Sequence, residues 1–293
     1  MITYRLVKRE DWSSIIKLTN DVFKEKIPME VSFPLLFNEA NTFSYVAILD
    51  EKVIGFIGVV PEELYHQGDI FYGSRIGAVC ISEDHQGQGI GRSLFRLMKK
   101  ESDNDFLLVS GQGKLYLQED CEFFGEFNEF IIPEKNSNLV MREYTGERED
   151  LKEIHKLNIG GDTYYMRGST ELSILMNAKA LGNLWEGEEK LLLIYENEII
   201  VGFLLISTRH ENQKIITEVL EYHGQEEILL KAFRQLAVSA EELRVRAYNE
   251  SLLSNMLEEI SKKTPVKNAG TILINEEKVR EIPIPHTWDL GFL

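Results

Sequence analysis

"EDHQGQGIGRSLFRL", residues 83–97, places glycines at 87, 89 and 91 directly ahead of a helical pattern. Glycine loses more conformational freedom on ordering than alanine does, so its repetition at a helix start signals a need for bare backbone. A strand that feeds a helix through such a turn aims several free N–H groups at one point. The helix dipole adds partial positive charge there, which suits an anion, most often a phosphate. A glycine-rich turn without a ligand has the same local signature, so the neighbouring sequence must decide. The dinucleotide fingerprint needs G-x-G-x-x-G, whereas the spacing here is G-x-G-x-G. The lysine-bearing phosphate loop needs Ser or Thr after its lysine, and "GQGKL" at 111–115 supplies Leu115. Both patterns fail.

Working outward, residues 76–81 read as an apolar strand entering the turn, and 90–100 as the helix leaving it. A short buried strand at 106–110, a short helix at 113–119 and a closing strand at 127–132 follow. Ahead of the turn, residues 11–24 form a helix with Trp12, Ile15, Ile16, Leu18, Thr19, Val22 and Phe23 on its inner side and Asp11 as N-cap. A shorter helix is expected at 33–39. "FSYVAILDEKVIGFIGVV" reads as a hairpin about the polar turn 50–52, and "YGSRIGAVCIS" as a further strand.

The polar stretch "PEKNSN" at 133–138 marks a boundary, after which the order of elements partly repeats. A helix opens at 149–157, "KLLLIYENEIIVGFLLIST" echoes the first hairpin, and "KIITEVLEYHGQEEILLKAFRQLA" echoes the strand, turn and helix. Two related domains are expected, at 1–134 and 139–293. The closing "IPIPHTWDLGFL", with Trp288 and Phe292, reads as a docked tail.

Composition bounds the function. The 293 residues carry 48 acidic and 32 basic side chains, a formal net charge of -16, which argues against non-specific nucleic-acid binding. No apolar run is long enough to span a membrane, and "MITYRLVKREDW" lacks the apolar core of an export signal. Two cysteines, Cys80 and Cys121, make no disulfide framework and suit a reducing cytoplasm. Each reads first as a small buried hydrophobe, with a catalytic or metal role as the alternative. His66 and His85 are isolated, and no metal-ligand cluster is present in the sequence pattern.

Gln86-Gly87-Gln88-Gly89-Ile90-Gly91 fits Q/R-x-x-G-x-G/A. With the strand before it, the helix and strand after it and Leu115-Tyr116 beyond, the first 132 residues resemble the GNAT superfamily of acyl-CoA-dependent N-acetyltransferases. The resemblance implies an α/β (α+β) fold with a mixed, mostly antiparallel sheet flanked by helices, present twice. It implies a degenerate second copy, because Gly224 keeps the first glycine while Glu226 and Ile228 replace Gly89 and Gly91.

It further implies acetyl-CoA as cosubstrate and no metal. The backbone of Val79 and Ile81 would hold the pantetheine arm, with the Ile81 N–H as oxyanion donor. Gln86, Gly87, Gln88, Gly89, Ile90 and Gly91, with Arg92, would take the pyrophosphate, and Tyr116 would protonate the departing thiolate. The family often continues its tyrosine as Y-x-x-x-G-F, and Asp120-Cys121 stands in place of Gly-Phe. The base is open: Glu62 or Glu63 beside the acceptor, a base acting through water, or neither, both being plain surface carboxylates. The expected acceptor is a primary amine of a small molecule or peptide, and the acidic excess suits a cationic one. Neither nucleic acid nor membrane is an expected partner. The alternative is a non-catalytic acyl-CoA or metabolite-binding module whose second domain regulates it or forms a homodimer surface.

Overall fold

The computed structural model describes residues 1–109, 111, 113–134, 138–266, 270–285, 289, 291 and 292. The chain divides into two compact units. The first comprises Met1–Phe124 and Gly270–Ile282; the second comprises 125–266 and the described part of 283–292. Up to residue 124 the elements are β1 (Thr3–Leu6), α1 (Trp12–Phe23), α2 (Met29–Ser32), β2 (Tyr45–Leu49), β3 (Lys52–His66), β4 (Asp69–Ile81), α3 (Ile90–Glu101), β5 (Phe106–Val109), α4 (Lys114–Leu117) and β6 (Glu122–Phe124). Then come β7 (Phe127–Ile131), β8 (Val140–Glu143), α5 (Arg148–Asn158), β9 (Thr163–Tyr165), α6 (Ser169–Ala178), α7 (Ala180–Leu184), β10 (Glu188–Glu196) and β11 (Ile199–Glu211). β12 (Lys214–Gly224), α8 (Glu226–Ala237), β13 (Glu242–Tyr248), α9 (Leu252–Glu258), β14 (Lys263–Val266) and β15 (Gly270–Ile274) complete the series.

Both units are α/β, with mixed and mostly antiparallel sheets. The first sheet runs β1-β2-β3-β4-β5-β15-β6, the second β14-β7-β13-β12-β11-β10-β8. Their hairpins have the same turn. Asp50 and Glu51 sit at φ 47° and 65°, Asn197 and Glu198 at 49° and 66°. Two successive left-handed residues match the twist of the flanking strands, as a two-residue hairpin requires. In the first unit α3 buries Ile90, Leu94, Phe95 and Met98, one stripe at helical spacing, against Ile57, Val59 and Leu107. In the second, α8 buries Leu229, Ala232, Phe233 and Leu236 in the same way.

Three expectations are corrected. Asp11 does not cap α1. Its carboxylate turns back to accept from the Lys8 N–H at 2.7 Å and from Arg5 at 2.7 and 3.0 Å, and the two partners hold it below the usual carboxylate range against the opposing effect of its burial. The helix expected at 33–39 is absent, because Phe33 precedes Pro34 and is excluded from the helical region; it lies at φ -128°, ψ 60°, and a shorter helix ends just before it.

The third correction concerns the closing strand. Residues 127–131 form it, but it pairs with β13 and β14 of the second sheet. Gly125, at φ 81°, breaks the strand direction just after β6. In the first sheet β15 lies between β5 and β6. The exchange is reciprocal: β5-β15-β6 in one sheet corresponds to β13-β7-β14 in the other. Residues 135–137 of the expected boundary, with Ser110 and Trp288, lie outside the described residues.

β15 is not a surface addition. Thr271 and Ile272 are fully buried, Leu273 is 4% exposed, and Val279 just beyond is 1% exposed. Burial of those three apolar side chains is worth roughly 1.5–3 kcal/mol each, which together approaches the whole stability of a typical domain. A fragment ending at residue 134 should therefore fail to fold cooperatively, and addition of a peptide covering 270–282 should restore structure. Circular dichroism and thermal melting of the fragment, alone and with the peptide, check this.

Candidate active site

The site is built on an irregularity in β4. Its antiparallel pairing with β3 passes from Gly58–Gly77 to Phe56–Cys80, so β4 holds one residue more than β3 over this interval. The extra residue makes a bulge at Ala78–Val79, with Ala78 at φ 49°. On its other side β4 pairs in parallel with β5 as far as Ile76–Val109, and then runs five residues further to Ile81. The Ser82 N–H donates to the Ile54 carbonyl at 2.9 Å. Antiparallel pairs alternate between bonded and non-bonded, so the adjacent Gly55–Ile81 pair turns the Ile81 N–H and C=O away from β3. Consistent with that direction, the Ile81 carbonyl accepts from the Gln86 side chain at 3.1 Å.

Past Ile81 the chain makes a short helical turn at Glu83–His85 and enters the glycines. Gly87 and Gly89 lie at φ 74° and 78°, and a Cβ at either would meet nothing within 4 Å. Both therefore combine a left-handed backbone with open space above it. Gly91 differs: a Cβ there would sit in ordinary contact with Leu115 and Ile81, at 3.7 and 3.8 Å, and its φ is not positive. A Cβ is accommodated there, so the uncluttered left-handed surface belongs to Gly87 and Gly89. Gly89 is the N-cap of α3, with no side chain capping the helix, and its carbonyl accepts from the Ser93 N–H at 3.0 Å. The first-turn N–H groups at Ile90, Gly91 and Arg92 have no partner within the helix by position. Gln88 is tied back to the Asp84 carbonyl at 3.3 Å.

Arg92 is engaged. Its guanidinium lies 3.2 Å from Glu119 and bonds the Gln118 side chain. Glu119, not singled out in the sequence, is buried, accepts from Arg96 at 2.8 Å, and is held by Arg96 below the usual carboxylate range. A coenzyme phosphate would have to share Arg92 with that carboxylate. Tyr116 is buried against Phe95, with ring centroids 5.6 Å apart, and lies beside Gly111 and Gly113. Burial pushes its hydroxyl up to about 12, so the group stays protonated at any physiological pH. Burial likewise raises the Cys80 thiol to about 12 and Cys121 to about 11, and a buried protonated thiol is a poor nucleophile or ligand. Among the described residues no group of three or more His, Cys, Asp or Glu could hold a metal ion. Among the described residues no helix is long and apolar enough to cross a membrane.

Residues 40–121, which contain the bulge, the glycine turn and Tyr116, match the sequence profile of the acetyltransferase (GNAT) domain. This chain carries a GNAT acetyltransferase domain. Its enzyme class is accordingly acyltransferase. No curated protein is significantly similar in sequence. The fold is shared with solved structures over 94% of this chain and 73% of theirs. A GCN5-related N-acetyltransferase from Anabaena variabilis superposes with a TM-score of 0.68 at 13% identity. A probable N-acyltransferase from Enterococcus faecalis gives 0.69 at 15%, and Eis1 from Mycobacterium abscessus, covered to the same extents, 0.62 at 9%.

Within the GNAT domain the two carboxylates considered for the base part company. Glu62 and Glu63 both lie inside β3, where successive side chains face opposite sides of the sheet. Glu62 is buried and accepts from Arg75 at 2.5 Å, an ion pair in which both side chains are under 10% exposed. Glu63 is exposed. They cannot line one cleft together. Removing one partner of a buried pair strands the other charge, at a typical cost of about 3–5 kcal/mol. Glu62→Gln should therefore lower the unfolding free energy by about 3 kcal/mol, while Glu63→Gln should change it by less than about 0.5 kcal/mol. Denaturant titration of the two variants checks this.

Proposed function

We propose that the GNAT domain transfers an acetyl group from acetyl-CoA to the primary amine of a small molecule or peptide, directly and within a ternary complex. The observation that carries this reading is the outward Ile81 N–H at the end of β4, followed at once by the open turn at Gly87 and Gly89. Acetyl-CoA supplies the acyl group as a thioester. The free edge of β4 at Val79 and Ile81 lies along the pantetheine arm, and residues 86–91 surround the pyrophosphate, with Arg92 partly withdrawn toward Glu119. The Ile81 N–H donates to the thioester oxygen as negative charge builds there, which is worth most in a site shielded from water. The amine nitrogen bonds the acyl carbon as the C–S bond breaks. Tyr116 gives its proton to the departing sulfur and regains one through water, which also takes up the proton shed by the amine. Holding both substrates together supplies much of the acceleration without a covalent enzyme intermediate.

The acidic excess of the chain, 48 carboxylates against 32 cations, supports a cationic acceptor, and two unpaired thiols suit the cytoplasm.

Coenzyme A is expected to bind with one site per chain. Gly89→Glu should abolish it, since that backbone at φ 78° meets only open space and a carboxylate there repels phosphate. Calorimetry gives the stoichiometry directly; two sites per chain, or unchanged affinity in the variant, would falsify the assignment. Tyr116→Phe should lower kcat about a hundredfold with KM for acetyl-CoA nearly unchanged. Because the hydroxyl titrates only near 12, the loss should be uniform from about pH 7 to 10, which a rate profile of both proteins tests.

A further inference from the structure

The second unit contains a cavity of about 900 Å³, and among the described residues its lining comes from that unit. Its position follows from the repeat. β12 carries one extra residue opposite β11, at Leu220, and its parallel pairing with β13 ends at Val219–Val245. β12 then runs five residues on to Gly224 while β13 continues along β7. The cavity lies where these strands part, with Val219–Gly224 on one wall, Arg246 and Tyr248 on another, and the start of α8 at Glu226. This is the counterpart of the slot in the first unit, with different chemistry. A Cβ at Gly224 would come within 3.0 Å of the Val201 carbonyl, so the backbone there is packed against its neighbour strand.

Charge decides what the cavity can take. The walls carry Lys156, Arg167 and Arg246 against Asp162, Glu196, Glu221, Glu226 and Asp289. All three cations are matched. Arg167, 1% exposed, sits between Glu221 at 3.1 Å and Asp289 at 2.8 Å. Arg246 meets Glu129 at 2.9 Å and Glu218 at 2.8 Å, and Lys156 meets Glu153 at 2.6 Å. Among the described residues, Asp162, Glu196 and Glu226 are in no ion pair, so the walls keep a surplus of negative charge. Between the charges stand aromatic rings, Phe127, Tyr164, Tyr165, Tyr222 and Tyr248. Tyr165 already carries a guanidinium over its face, that of Arg167 at 5.4 Å. Aromatic faces with surplus carboxylates attract organic cations and repel phosphates.

We propose that the second unit binds, in this cavity, a small organic cation bearing an apolar or aromatic group, and that it does not bind the coenzyme. The volume is that of a site for a drug-sized molecule. The proposal does not depend on acyl transfer, and its test uses a cation that has no N–H to acylate. Benzyltrimethylammonium, benzyl alcohol and phenylacetate are titrated by calorimetry into the full chain, without coenzyme and at low salt. The cation should bind at one site, about tenfold more tightly than either of the others. Glu196→Lys and Glu226→Lys, changes at exposed and half-exposed positions, should each weaken it about three- to tenfold while the melting temperature is retained. Should either variant unfold, the ranking of the three probes on the unmodified chain decides alone. No heat from the cation, equal affinity for the neutral or anionic probe, or indifference to both charge reversals overturns the proposal.

Discussion

One extra residue in β4 is the constraint on which the candidate site depends. A bulge opposite Ile57 raises the local twist of the strand and turns its last residues along a course that β5 does not follow. Backbone groups that a regular sheet would consume are left along an edge. The Ile81 N–H faces outward only because the residue count on either side of the bulge sets which pairs bond inward. The glycine turn is aimed by the same strand, since it begins five residues after Ile81 and is pinned to the Ile81 carbonyl through Gln86. Without the bulge, Gly87 and Gly89 would be an open turn with nothing beside it.

The second unit repeats the scaffold and not the chemistry. β12 has its own bulge and its own parting from β13, yet α8 starts with Glu226 and Glu227 where α3 is led in by Gly87 and Gly89. Acidic residues in a first helical turn complement the dipole from within the chain, so the helix start needs no external anion. Bare glycines leave the dipole unanswered. The difference between a start that seeks an anion and one that already holds its own lies in a few side chains, while the strands beneath are alike.

The local features were legible in the sequence. Glycine spacing, hairpin turns and the buried stripes of α1, α3 and α8 are each set within a dozen residues by φ requirements and by period. Pro34 was also legible, since the residue before a proline is kept from the helix, though the apolar run "FPLLF" obscured it. Glu62 and Glu63 could have been separated by strand alternation once β3 was taken to its full length. What was not legible depended on long-range choice. β6, β7, β14 and β15 are three to five residues each, too short to carry a partner preference in their pattern, so nothing in "FNEFI" or "GTILI" says which sheet it joins. Glu119 escaped for a similar reason: its importance comes from Arg92 and Arg96, more than twenty residues away on another element.

The strand exchange has a consequence for the order in which the protein is made. The second sheet draws its strands from residues 127–266, one nearly continuous stretch, whereas the first sheet waits for β15 at 270–274. At translation rates of 5–20 residues per second, β5 leaves the ribosome roughly 10–30 s ahead of the strand that must pair with it. Through that interval the apolar edge at Phe106–Val109 has no native neighbour on that side, the condition under which strands find the wrong partner. The half of the chain synthesised first is thus the half completed last, since its sheet closes only once residues 270–274 have emerged.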